Sequence, residues 1–175
     1  MKTTFQSSIF AGICIGTAGF AYLAVGGIVG AVLFAFGLLT VVGYKLKLYT
    51  GTAGFIDSKG VPTLLLILLG NIIGCLAVGL LARLSPLPIQ EGAQKILEGR
   101  LNVGPIRCAC LAIGCGFIMT TAVTFARKGN YLPLLFGVPL FIVCGFPHCV
   151  ADAFYYLATP GSFLADNWLD IIILY

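Results

Sequence analysis

The sequence predicts an all-α membrane protein built as an inverted repeat of transmembrane helices with two broken helices, and three observations carry that reading. Hydrophobic residues fill 59% of the 175 positions and charged residues 9%, with a mean hydropathy of +1.06, far from the range of water-soluble domains. The apolar runs are long enough to supply the ~20 residues that one helical crossing needs. Two of the runs are interrupted by glycine- or proline-bearing segments at corresponding places in the two halves, a pattern of paired interrupted helices.

The first run, residues 5–48, is about twice one crossing and has Gly26 and Gly27 in its middle, so it predicts a tight helical hairpin. Lys45 and Lys47 stand at the end of its second helix. Beyond them Tyr49, Thr50, Gly51, Thr52, Ala53 and Gly54 weaken further helix and place the first break there. After a polar loop at 57–60, Pro62 suits a first helical turn and residues 63–84 give a third crossing. Gly70 and Gly74, either side of Asn71, form a small-residue face for close packing, as do Gly114 and Gly116 later in the chain.

Residues 85–102 turn polar, with Pro86, Pro88, Glu91, Lys95, Glu98 and Arg100, and are the only connection long enough to join two halves. The expected organisation is a single transmembrane domain over 1–175, with a first half at about 1–84, a linker at about 85–102 and a second half at about 103–175. In the second half residues 105–125 give a fourth crossing, 127–130 a basic turn and 131–144 the start of a fifth. Pro147 interrupts that fifth helix, because proline lacks an amide hydrogen and crowds the preceding turn. Residues 150–157 continue it until Pro160 and Gly161, and 166–175 begin an apolar run of ten residues, so the third helix of this half is expected to be mostly missing. Irregular backbone at membrane depth must line water or be buried in protein. The two breaks are therefore expected to face each other across a pathway.

The net charge of +4 comes from basic residues scattered over short loops, which builds no nucleic-acid surface. Cys14, Cys75, Cys108, Cys110, Cys115, Cys144 and Cys149 all lie in apolar stretches without a Cys-x-x-Cys pair or zinc spacing, and read as small core residues. No metal, no cofactor and no paired carboxylates are indicated, so an enzyme is not expected. One lysine precedes the first run without a cleavage site, which predicts a retained helix, not a signal peptide. With a cytoplasmic N-terminus, Lys2, Lys59, Arg127 and Lys128 fall inside and Arg83, Lys95, Arg100 and Arg107 outside, so the positive-inside count is a tie.

His148 is the only histidine and stands at the second break, after Gly145, Phe146 and Pro147. An ionisable group at membrane depth is a functional candidate, and free imidazole titrates near ~6.5. The plainer reading is a neutral histidine satisfied by a hydroxyl or a carbonyl. The segment Cys144-Gly145-Phe146-Pro147-His148-Cys149-Val150-Ala151-Asp152-Ala153-Phe154 resembles the Gly-Phe-Glu-His-Ser-x-Ala-Asn-Met-Phe signature of the formate/nitrite transporter family, which also includes hydrosulfide and lactate channels. Leu48-Tyr49-Thr50-Gly51-Thr52 resembles the Leu-Phe-Thr-Gly/Ser loop of that family, and Gly70-Asn71-Ile72-Ile73-Gly74 its Gly-Asn-x-x-Gly helix.

The resemblance covers nearly the whole chain. It implies six helices per protomer, an aquaporin-like fold, and a homopentamer with a pore in each protomer, in the cell membrane of a prokaryote with the N-terminus cytoplasmic. His148 matches the family's central histidine and Thr50 the loop threonine that bonds to it, with Tyr49 beside it. Phe34, Leu38, Leu48 and Phe141 match its apolar constrictions, for which spacing alone favours ordinary helix packing. Arg100 matches a basic vestibule residue, and a solvated loop charge is the equal alternative. Pro147 replaces the family's glutamate, Lys47 its loop aspartate and Asp152 its asparagine. The site becomes more positive, favouring an anion at the mouth. The family's second Gly-Asn-x-x-Gly, on its sixth helix, lies beyond Tyr175, which leaves a fragment or an unusually short protein. The implied function is a channel or proton-linked transporter for small monovalent anions or their conjugate acids (formate, nitrite, hydrosulfide), in which His148 supplies or shares a proton. The alternative is a nonconducting relative.

Overall fold

A computed structural model describes residues 2–175. Among them it contains ten α-helices and one short 3-10 turn. Three helices are long and apolar enough to cross a membrane on their own: α1 (Lys2–Val25), α4 (Val61–Ala82) and α6 (Pro105–Arg127). The other crossings are made in two pieces. In the first half α2 (Gly27–Gly43) is followed by α3 (Tyr49–Ala53), and in the second half α7 (Leu132–Val143) is followed by α8 (Cys149–Ala158). The remaining helices are α5 (Ile89–Val103), α9 (Gly161–Asp166) and α10 (Trp168–Leu174).

Both breaks are the same backbone device. Lys45 N–H donates to the Val42 carbonyl and Leu46 N–H to the Val41 carbonyl, at 3.0 and 2.8 Å. One repeat later, Gly145 N–H donates to the Ile142 carbonyl and Phe146 N–H to the Phe141 carbonyl, at 3.0 and 2.9 Å. These paired bonds are a Schellman helix stop, which needs one left-handed residue just past the helix. Lys45 and Gly145 are those residues, with φ of 53° and 67°. The first break thus lies at residues 44–48, ahead of where the sequence places it: Thr50, Gly51 and Thr52 are helical, inside α3. Helix α7 ends at Val143, four residues before Pro147, so the left-handed turn at Gly145 stops it and proline does not.

The linker also differs from expectation. Residues 89–103 form the amphipathic α5, whose Ile89, Ala93 and Leu97 recur at four-residue intervals and are buried. This helix packs against α8, directly behind the second break.

The first half is tied together by backbone contact between α1 and α4. A side chain on Gly74 would run into the Ile9 carbonyl, and one on Gly12 into the Asn71 carbonyl. Only glycine permits that approach. The small-residue face read at Gly70 and Gly74 is therefore spent inside the protomer, against α1. Gly114 packs under the Phe146 ring, while Gly116 meets nothing within 4 Å. Further contacts of α2 with α7, and of α4 with α8, bring the two breaks to the centre of the helix assembly.

Candidate pore

The close approach of α1 and α4 delivers Asn71, fully buried, to the first break. Its Nδ2 donates to the Ser8 carbonyl at 2.7 Å and the Lys47 carbonyl at 3.0 Å, and its Oδ1 accepts from Tyr49 N–H at 2.8 Å. Lys47 N–H donates to Ser7 Oγ at 3.1 Å. Groups that an unbroken helix would have paired within itself are so satisfied by two other helices, as burial away from water requires. Sequence reading took Asn71 as part of a packing motif; its polar role as the anchor of the break emerges only from contacts 22 to 63 residues apart.

The second break presents His148 as the N-cap of α8. Its Nδ1 accepts from Ala151 N–H at 3.2 Å, and its Nε2 lies 3.1 Å from Thr50 Oγ1. A neutral imidazole carries one N–H, so Nδ1 as acceptor puts the hydrogen on Nε2, which donates to Thr50. The threonine hydroxyl keeps its own hydrogen for another acceptor. His148 is 3% exposed and stacks on Phe141, with ring centroids 5.2 Å apart; Phe141 in turn meets the edge of Phe34 at 6.0 Å. The Thr50–His148 bond spans 98 residues of sequence and joins the first turn of α3, just past the first break, to the second break.

A cavity opens against each break. One, of about 190 Å³, is lined by Leu38, Leu48, Lys45, Lys47, Gly51 and Arg127 among others. The other, of about 330 Å³, is lined by Lys95, Arg100, Phe141, His148, Asp152 and Tyr155 among others. They share no lining residue. Of the residues singled out in the sequence, Leu38, Leu48 and Lys47 fall on the first cavity and Phe141, His148 and Arg100 on the second, with the fully buried Phe34 edge-on to Phe141. Tyr49 takes part through its backbone amide.

Arg100 is not a loop charge. It reaches from α5 to donate to the carbonyls of Gly145 and Phe146 and pairs with Asp152 at 3.5 Å. Lys45 and Arg127 also line the first cavity and Lys95 the second, and the sequence reading did not single them out as site residues. Arg127 donates to the Gly51 carbonyl at 3.2 Å and lies 3.8 Å over the Phe55 ring, bracing α3.

Paired broken helices thus meet at a hydrogen-bonded hydroxyl and imidazole, with a cavity bearing basic side chains on each side, an arrangement suited to a membrane transport protein. The family model described as formate/nitrite transporter matches residues 1–173. The chain belongs to that family, as its sequence resemblance implies; it is an anion channel or transporter and not an enzyme. A solved structure described as a pentameric formate channel with formate bound shares the fold, with a TM-score of 0.81 at 22% identity over 98% of this chain and 82% of that one. Among curated protein sequences no relative matches.

Proposed function

We propose that the chain conducts small monovalent anions of the formate, nitrite and hydrosulfide class across the cell membrane of a prokaryote, through a pore in each protomer of a homopentamer. The single observation that carries the route is the Thr50–His148 bond between the two cavities. Lys45, Lys47 and Arg127 raise the local anion concentration at one mouth, and Lys95 and Arg100 do so at the other. Between them the anion meets Leu38, Leu48, Phe34 and Phe141. An unpaired charge is costly in such surroundings, whereas a neutral acid enters readily.

At the constriction His148 Nε2–H and the Thr50 hydroxyl are two donors that replace water around a substrate oxygen. The substrate crosses as its conjugate acid, or as an anion sharing the Nε2 proton. Since Nδ1 is held by the Ala151 amide, a second proton on the ring must first displace that bond. The neutral ring thus acts as a hydrogen-bond donor, a narrower role than the proton supply the sequence suggests. We place the N-terminus in the cytoplasm, so that the Lys45–Lys47–Arg127 mouth faces inward.

Reconstitution into proteoliposomes tests this reading. Formate or nitrite added outside is expected to enter far faster than into empty vesicles, and sulfate is not. Vesicles carrying folded protein that admit formate no faster than bare lipid would end it. Labelling of a cysteine placed in the Lys59 loop from outside intact cells would reverse the orientation.

A further inference from the structure

The second break carries a polar device that the first lacks. Leu48, the residue before α3, makes no side-chain cap, and Asn71 holds that break from behind. At the second break the cap is reciprocal. His148 Nδ1 accepts from the Ala151 amide, while the Asp152 carboxylate accepts the His148 backbone N–H through Oδ2 at 3.1 Å. This is the logic of a capping box, moved on by one residue. The other carboxylate oxygen, Oδ1, pairs with Arg100 Nη2, and the same guanidinium holds the carbonyls of Gly145 and Phe146. One fork from α5 therefore grips the backbone on the N-terminal side of His148 and, through Asp152, its amide.

We propose that Arg100 and Asp152 are a positioning pair that fixes His148 as the Nε2–H tautomer aimed at Thr50. The inference rests on the pathway reading above only for its effect on transport. His148 sits at the junction of a left-handed turn and a helix start, where its ring orientation depends on where the turn ends. With the His148 amide bound to Asp152 and the preceding carbonyls bound to Arg100, the ring is left one satisfied arrangement: Nδ1 over the Ala151 amide and Nε2 toward Thr50. Asp152 is 4% exposed and sits in the first turn of α8, where the helix dipole favours an anion. A buried carboxylate needs a partner, and Arg100 supplies it. The planar fork reaches two carbonyls and a carboxylate together, which a lysine cannot do. The other ionisable groups facing this cavity are Lys95 on α5, Tyr155 on α8 and Tyr22 on α1, and no hydrogen bond joins any of them to the imidazole among the described residues.

The chain has one histidine, so 15N-histidine labelling of protein purified on a histidine-free tag reports this ring alone. In liposomes at neutral pH, 15N NMR is expected to show a single neutral Nε2–H tautomer. Asp152→Leu is expected to give mixed tautomers and at least about tenfold slower formate flux. Asp152→Asn retains an oxygen for the His148 amide, and is expected to keep the tautomer with flux reduced about threefold. Arg100→Lys is expected to fall between them. A merely structural pair would lower the melting temperature and leave the tautomer as it was.

An Nδ1–H tautomer in the unmodified protein overturns the proposal without any variant. A single Nε2–H tautomer in folded Asp152→Leu overturns it as well; if that variant does not fold, the same result in Arg100→Lys does so. The spectrum needs no transport, so the two readings separate. Mixed tautomers with undiminished flux would uphold the pair and remove His148 from the pathway.

Discussion

Replacing His148 with Asn separates the donor role of the ring from its structural one. Asparagine is among the best N-cap residues, so its side-chain oxygen takes over the Ala151 amide at little cost. The stacking on Phe141 is lost, which removes ~0.5–1.5 kcal/mol. The folded protein should therefore melt only slightly earlier. What disappears is the Nε2–H directed at Thr50 and at a substrate beside it. A hydrogen bond to a charged group contributes ~1.5–3 kcal/mol, and each ~1.4 kcal/mol is a factor of ten. Formate flux into proteoliposomes, followed by stopped-flow light scattering, is thus expected to fall about ten- to hundredfold. Because Nδ1 is committed to the backbone, the loss should be similar at every pH between about 5 and 8, where free imidazole titrates. Full flux from folded His148→Asn would refute the pathway through this residue. A flattened pH profile would refute the donor role and favour a proton shuttle.

Thr50→Val deletes the hydroxyl at nearly constant volume, and should slow formate flux by a smaller factor than His148→Asn while leaving oligomer size unchanged on gel filtration. Asn71→Leu leaves the Lys47 carbonyl and the Tyr49 amide buried without partners, at ~1–3 kcal/mol each; the melting temperature in detergent should drop sharply, and a value equal to that of the unmodified protein would contradict the anchor role. Gly74→Val drives a side chain into the Ile9 carbonyl, and should abolish assembly as judged by recovery from membranes. Lys45→Met with Lys47→Met should reduce flux at low salt more than at high salt, since exposed charges act over a screened distance; an equal reduction at both would rule out steering at that mouth.

The crossings were legible because the bilayer demands about twenty apolar residues whatever the fold, and residues 5–48, 63–84 and 105–125 meet that demand openly. Thr50 and His148 were legible through the motifs around them. The position of the first break was not, because the stop is set by the left-handed backbone of Lys45, a conformation that its residue type does not announce. The helix at 89–103 was hidden by its charged face, although Ile89, Ala93 and Leu97 held its period. Asp152 read as a departure from a signature; its partner lies 52 residues earlier on an element taken for a linker, so no local pattern pointed to the ion pair.

The anchoring of the first break by Asn71 sets an order for biogenesis. Ser7, Ser8, Lys47 and Tyr49 all leave the ribosome before Asn71 does. A nascent chain that has inserted α1, α2 and α3 therefore holds an open carbonyl and an open amide at membrane depth until α4 arrives to close them. Insertion of α4 is the step that completes the first half, and residues 2–82 are the smallest unit from this end in which the first break is satisfied. Truncations that stop within the loop before α4 should be cleared by membrane proteases, whereas those that extend past Ala82 should persist long enough to be captured.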